Sequence, residues 1–345
     1  MPAAGRMIVD LAGLSTGVRV ELGRLSRRYV LSVGALGLVA ACAPDAPPPS
    51  FSPEVETPRA TAAPSTSSAP VVVRGGPVPF TPGRAMLGSY SALGGKSLTQ
   101  SLALRRKQLG REQRIVHRFY PWDGFVPTSE PEVAKSSILM VSWHGAPLAA
   151  ITGGSADGLI RSVARKLKGM RRPILLRWAW EMNGDWFEWG GSPELYVKAY
   201  RRIHRVFGDV GADNVAWVWS PNWNSSPDTP ANRIAKYYPG DSYVDWVGVS
   251  GYNFFGESPS TLFSRVIDLY GNRKPVILSE TAAVSDKAGY IKKLCKWVDR
   301  TPSVGAVVWF DTDIQDGTTN NFRFDTDAAA LSAYREMARS RRFSG

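Results

Sequence analysis

The chain has little cysteine: Cys42 and Cys295 are the only two in 345 residues. Two thiols cannot build the disulfide framework of a small secreted domain. Cys295 shares an apolar helix face and reads as a buried core thiol. Histidine is nearly as scarce, and His117, His144 and His204 show none of the short spacings of a metal-ligand set, so no metal site is expected. No G-x-S-x-G elbow, no phosphate-cradling loop and no Gly-rich fingerprint after a strand occurs, which excludes serine-hydrolase and nucleotide-binding chemistry and leaves no cofactor implied. No apolar run reaches the roughly 20 residues that a membrane-spanning helix needs.

Aromatic residues, by contrast, are plentiful. With 12 Trp, 12 Tyr, 13 Phe and 43% hydrophobic residues, the chain can fill a large core and line a cleft besides. The formal net charge is +12. Part of it sits in the first thirty residues and part in Arg161, Arg165, Lys166, Lys168, Arg171 and Arg172, which read as a solvated helix face that anionic lipid or envelope polymers could bind. Nucleic acid is not an expected partner for a chain that is exported, and export is what the N-terminus suggests.

Residues 1–41 read as an export signal. Arg24, Arg27 and Arg28 precede an apolar run over residues 29–41 that ends in small residues. Ser26-Arg27-Arg28-Tyr29-Val30-Leu31 resembles a twin-arginine motif, and Val39-Ala40-Ala41-Cys42 resembles a bacterial lipobox in which Cys42 is lipidated and becomes the mature N-terminus. The residues before Arg24 look like extra sequence upstream of the working signal. Residues 42–82 are dominated by Pro, Ala, Ser and Thr; they cannot bury enough surface to offset their ordering entropy and are expected to form a flexible tether. A secreted, unanchored protein is the alternative.

From residue 83 to 345 strands alternate with helices, the pattern of a parallel α/β fold. Strands are expected at 85–90, 114–120, 138–143, 174–180, 215–220, 245–250, 276–279 and 306–310. Between them Ile160, Val163, Leu167 and Met170 share one helix face, and Ile291, Leu294, Cys295 and Val298 share another. Ser192-Pro193 has the form of a helix start. Eight strand–helix units over some 260 residues predict a (β/α)8 TIM barrel, most simply a monomer, with an open doubly wound sheet as the other arrangement.

In a barrel the residues that follow each strand surround one face. Here they are Tyr120-Pro121-Trp122-Asp123, Trp143-His144, Glu181-Met182-Asn183, Trp219-Ser220-Pro221-Asn222, Gly251-Tyr252-Asn253, Glu280 and Trp309-Phe310-Asp311. Flat aromatic rings stack on sugar faces, while carboxylates and amides handle hydroxyls and protons, so the mixture points to carbohydrate chemistry. Glycoside hydrolysis needs one carboxylic acid to protonate the leaving oxygen and one carboxylate on the other side of the anomeric carbon. Glu181 and Glu280 fit those places. Asp185 and Glu188 lie in a loop and are expected to face solvent.

The run Arg177-x-x-x-Glu181-Met182-Asn183-Gly184-x-Trp186-Phe187-x-Trp189 resembles the strand-4 signature of glycoside hydrolase family 26, known chiefly for β-mannanases and some β-glucanases and β-xylanases. Lys274-Pro275-Val276-Ile277-Leu278-Ser279-Glu280 is similar to its strand-7 segment. The resemblance implies a retaining mechanism with Glu181 as acid/base and Glu280 as nucleophile. It also implies that Tyr252 bonds the nucleophile and that Trp309 forms the sugar platform. Trp143, His144, Asn183, Trp186 and Asn222, at the rim after their strands, are expected to contact a polysaccharide substrate. Two positions depart from the pattern. Trp180 stands where family members usually carry His, and Ser250 where acidic residues are frequent, so a preference other than plain mannan is expected. Trp180 either fills space or offers a stacking face. A carbohydrate-binding lipoprotein without turnover and an enzyme trimming a self-made exopolysaccharide are the competing functions.

Overall fold

A computed structural model describes residues 75–123, 125–315 and 318–343. The export signal, Cys42 and the tether as far as residue 74 lie outside the described residues. Eight parallel strands close into a barrel in chain order: β1 (Met86–Ala92), β2 (Ile115–Tyr120), β3 (Ile138–Trp143), β4 (Ile174–Trp178), β5 (Val215–Trp219), β6 (Trp246–Asn253), β7 (Val276–Ala283) and β8 (Val304–Thr312). All eight fall within a few residues of the expected spans. Every strand is buried along almost its whole length, as befits a sheet covered on its outside and filled on its inside.

The helices are α1 (Leu98–Leu109), the single-turn α2 (Leu148–Thr152), α3 (Asp157–Gly169), α4 (Pro193–Val210), α5 (Pro259–Tyr270), α6 (Lys287–Asp299) and α7 (Ala328–Arg339). Ile160, Val163 and Leu167 of α3 and Ile291, Leu294 and Val298 of α6 are buried as their spacing predicts; Met170 falls just past the end of α3, and Cys295 is half-buried. Pro193 opens α4, but the Ser192 side chain makes no capping bond. Helices do not follow every strand. Among the described residues, 121–137 between β2 and β3 contain none, and β5 connects to β6 through 3-10 turns alone.

Inside the barrel, side chains stack in layers. The lowest holds Ile115, Met140, Leu175, Ala216, Trp246, Ile277 and Ala306, sealed from below by Val78. Trp246 donates its indole N–H to the carbonyls of Gly75 and Val78, each at 3.0 Å, and Phe80 meets its ring edge-on. Residues 75–82 therefore belong to the barrel rather than to the expected tether. The reason is Trp246: its indole at the barrel floor needs an acceptor, and a Pro/Gly-rich strap supplies two carbonyls that composition did not reveal.

Candidate active site

Above the apolar floor lies a polar layer. Alternation along β4 turns Leu175 and Arg177 inward and Trp178 outward. Arg177 is fully buried; one guanidinium nitrogen reaches Glu280 and Ser142 Oγ, and the other donates to Ser250 Oγ at 2.6 Å. Ser142 also bonds His117 Nε2 at 2.6 Å. Burial first, and then the positive charge of Arg177, hold His117 well below the usual histidine pKa, so it is a neutral neighbour of the arginine.

Glu181 reaches the mouth through a break in strand geometry. β4 stops at Trp178, and both Ala179 (φ 44°) and Glu181 (φ 55°) adopt left-handed backbone conformations. Non-glycine residues rarely do so, and such strain gathers where a side chain must be aimed. The kink swings Trp180 into the mouth, against Phe119, Phe187, Trp189 and His144. Glu181 is held by its own N–H to Ser220 O at 2.8 Å and accepts the indole N–H of Trp186 at 2.9 Å. Gly184 makes that last bond possible, because a Cβ there would lie 2.4 Å from the Trp186 ring.

Glu280 is aimed by a different irregularity. The β7–β8 register shifts between Leu278 and Thr281. Ser279 turns inward, bonding Ser220 Oγ at 2.8 Å, and the bulge lets the next residue turn inward as well. Glu280 is fully buried, with one carboxylate oxygen on Arg177 and the other accepting the Tyr252 hydroxyl proton. Burial, then the charges of Glu280 and Glu181, push Tyr252 well above the usual phenol range, which fixes it as a donor.

The two carboxyl groups are unlike. Burial, followed by repulsion from Glu280, raises Glu181 to about 7, against the lowering influence of Arg177, Ser250 and Trp186. Glu280 instead has a guanidinium and a phenol donating into it. A carboxyl that holds its proton near neutrality beside one that is fully hydrogen-bonded as an acceptor is the division of labour that general acid and partner carboxylate require. Among the described residues, no three His, Cys, Asp or Glu side chains gather to hold a metal.

A profile described as "Glycosyl hydrolase family 26" matches residues 156–322. Endoglucanase H of Acetivibrio thermocellus is 31% identical over 253 residues, covering 66% of this chain and 27% of that one. The chain is similar to glycosyl hydrolase family 26 across this central segment. A mannan endo-1,4-beta-mannosidase of Bacillus subtilis is 36% identical over 121 residues, 32% of this chain and 30% of that protein. The chain thus spans less than a third of either relative's length. A family 26 β-mannanase structure from Bacteroides ovatus superposes with a TM-score of 0.58 at 17% identity, covering 75% of this chain and 90% of that one, which shows the shared fold.

In this family 26-like chain the expected site residues divide. Glu181, Glu280, Tyr252 and the half-exposed Trp186 come together. His144 borders them, half-buried, its ring edge-on to Trp189 at 4.4 Å and to Trp180. Asn222 bridges Ser250 at the end of β5. Asp185 and Glu188 are exposed, as expected.

Three expected contacts are corrected. Trp143 and Trp309 have no exposed surface: Trp143 stacks under Trp122 at 4.4 Å, and Trp309 packs on Tyr290 of α6 and Tyr334 of α7 while donating to Phe322 O at 2.7 Å. Strand alternation sends both outward into the helix layer, and Phe310 takes the inward place on β8 beside Tyr90, Phe119 and Tyr252. Asn183 is also fully buried. Its amide N–H groups go to the carbonyls of Asn222 and Asn224, and its oxygen accepts from Asn222 N at 2.8 Å, so it ties the β4 loop to the β5 loop. Asp311 likewise leaves the rim, forming a bidentate buried pair with Arg105 of α1.

Sequence reasoning missed Arg177 and His117 as members of the site. The signal was available: a lone arginine between Leu176 and Trp178, two residues from Leu175 in an apolar strand, must point into the barrel and needs an anion there.

Proposed function

We propose that this chain is a retaining endo-β-glycanase acting on a β-mannan or β-glucan type of polysaccharide. The observation that carries the reading is the pairing of Glu181, raised to about 7, with Glu280, which is fixed by Arg177 and Tyr252. Glu181 gives its proton to the departing glycosidic oxygen while a Glu280 oxygen attacks the anomeric carbon. Glu181, now ionised, takes a proton from water as the glycosyl-enzyme ester is hydrolysed, and the anomeric configuration is kept. Two of its relatives, an endoglucanase and a mannan endo-1,4-beta-mannosidase, support a β-linked polymer as substrate.

The half-exposed Trp122, Trp186 and Trp223 supply apolar faces for sugar rings around this pair. Trp180 favours the space-filling alternative, because only 3% of its surface is exposed. The reading extends to an exported lipoprotein attached to the membrane at Cys42, on the sequence motifs alone. Product anomers followed by NMR during early turnover of mannan, mixed-linkage glucan and xylan test the mechanism and substrate together. Initial accumulation of the inverted anomer would rule out Glu280 as nucleophile.

A further inference from the structure

The base of the barrel, opposite the carboxylates, is strongly basic on one side. Helices of this fold run back toward the base, so the C-terminal ends of α3 and α4 meet there. Between them lies an open groove of about 690 Å³ lined by Arg161, Arg165, Lys168 and Arg171, with Asp209 as the sole acidic member. All four basic side chains are exposed. A second hollow of about 590 Å³ is lined by Arg111, Arg114 and Arg339 together with Glu112.

Basic residues at helix C-termini can serve merely to offset the helix dipole. Lys168 does so, donating to Val210 O at 2.8 Å, and Arg161 lies 3.7 Å from Asp157. Among the described residues Arg165 and Arg171 have no carboxylate partner. Two unpaired guanidinium groups within one groove leave positive charge free for an external anion. The described chain also enters the fold at this end: Gly75 and Val78 are bonded to Trp246 at the barrel floor.

We propose that this basic face docks on an anionic phospholipid surface through lipid phosphates, holding the catalytic mouth away from the membrane. The proposal extends the membrane-anchor reading but rests on surface charge, so the two fail separately. Each Lys or Arg near an anionic bilayer strengthens binding by about fivefold, and the effect fades over a Debye length.

The barrel closes on itself with each strand paired on both sides, so the chain from Ala43 onward carries the whole folding unit and lacks the cysteine that would be lipidated. This chain should sediment with phosphatidylglycerol vesicles, not with phosphatidylcholine vesicles, and should be released at about 0.5 M salt. Arg161→Glu/Arg165→Glu/Arg171→Glu should weaken the association by about a hundredfold or more. The same three positions changed to Lys should keep it. Hydrolysis of a soluble polymer should be unchanged in both variants, which also certifies their folding. Equal binding to both vesicle types, or wild-type binding by the reversed variant, overturns the proposal. So does binding to soluble polyphosphate without binding to phosphatidylglycerol, which would assign the groove to an anionic polymer instead.

Discussion

Trp186 donates its indole N–H to Oε2 of Glu181 across 2.9 Å, from a loop position five residues further along the chain. A hydrogen bond to the ionised carboxylate favours that form, and it opposes the burial and the Glu280 charge that raise Glu181. The tryptophan thereby limits how far the acid is shifted.

Activity should follow the Glu181 proton. With its carboxyl at about 7, kcat/KM of the free enzyme should decline as pH rises through neutrality. Trp186→Phe should move that limb to higher pH, and Gly184→Ala should do the same by displacing the ring. A limb left in place by both changes would remove Trp186 from the control of Glu181.

Stability carries the same signature. Glu181 rises from an ordinary 4.5 to about 7, so between those values the folded state binds more protons than the unfolded one, and stability falls as pH increases. The full loss is on the order of 3 kcal/mol. Urea titrations at a series of pH values should show this slope in the native chain and a flatter one in Glu181→Gln.

The catalytic pair should separate by leaving group. Glu280→Ala should lower turnover by at least about a thousandfold on every substrate. Glu181→Ala should spare aryl glycosides whose leaving group needs little protonation, because the acid's contribution is then redundant. Equal losses on activated and natural substrates would contradict the role given to Glu181.

Arg177 offers a test of positioning against folding. Arg177→Met leaves Glu280 buried without its cation and should cost about 3–5 kcal/mol. Adding Glu280→Gln should recover much of that stability while leaving the enzyme inactive. If the double variant is no more stable than the single one, the pair is not what the arginine serves.

Trp180→His should lower the melting temperature sharply, by a loss of about 3 kcal/mol. It touches Phe119, His144, Phe187 and Trp189, and each edge-on contact is lost or weakened with the smaller ring. The ratio of kcat/KM between two polymers should change little. A changed ratio with unchanged melting would restore Trp180 to the cleft.

Sequence by itself determined the barrel. Eight apolar runs separated by amphipathic helices leave few ways to bury both faces of a parallel sheet, and polar or aromatic residues after each run mark one rim. It also brought Glu181 and Glu280 forward, since carboxylates directly after buried strands stand out. What it could not decide was direction. Period-two alternation, applied to Trp143 and Trp309, would have sent both to the helix layer, yet the same rule fails for Trp180 and Glu280. Left-handed residues at 179 and 181 and a bulge near Ser279 reset the alternation at the two places where chemistry is proposed. Such departures are held by contacts distant in sequence, among them Ser220 O on Glu181 N and Arg177 on Glu280. A local pattern cannot encode them, because the energy that holds the strained backbone comes from neighbouring strands of the closed barrel.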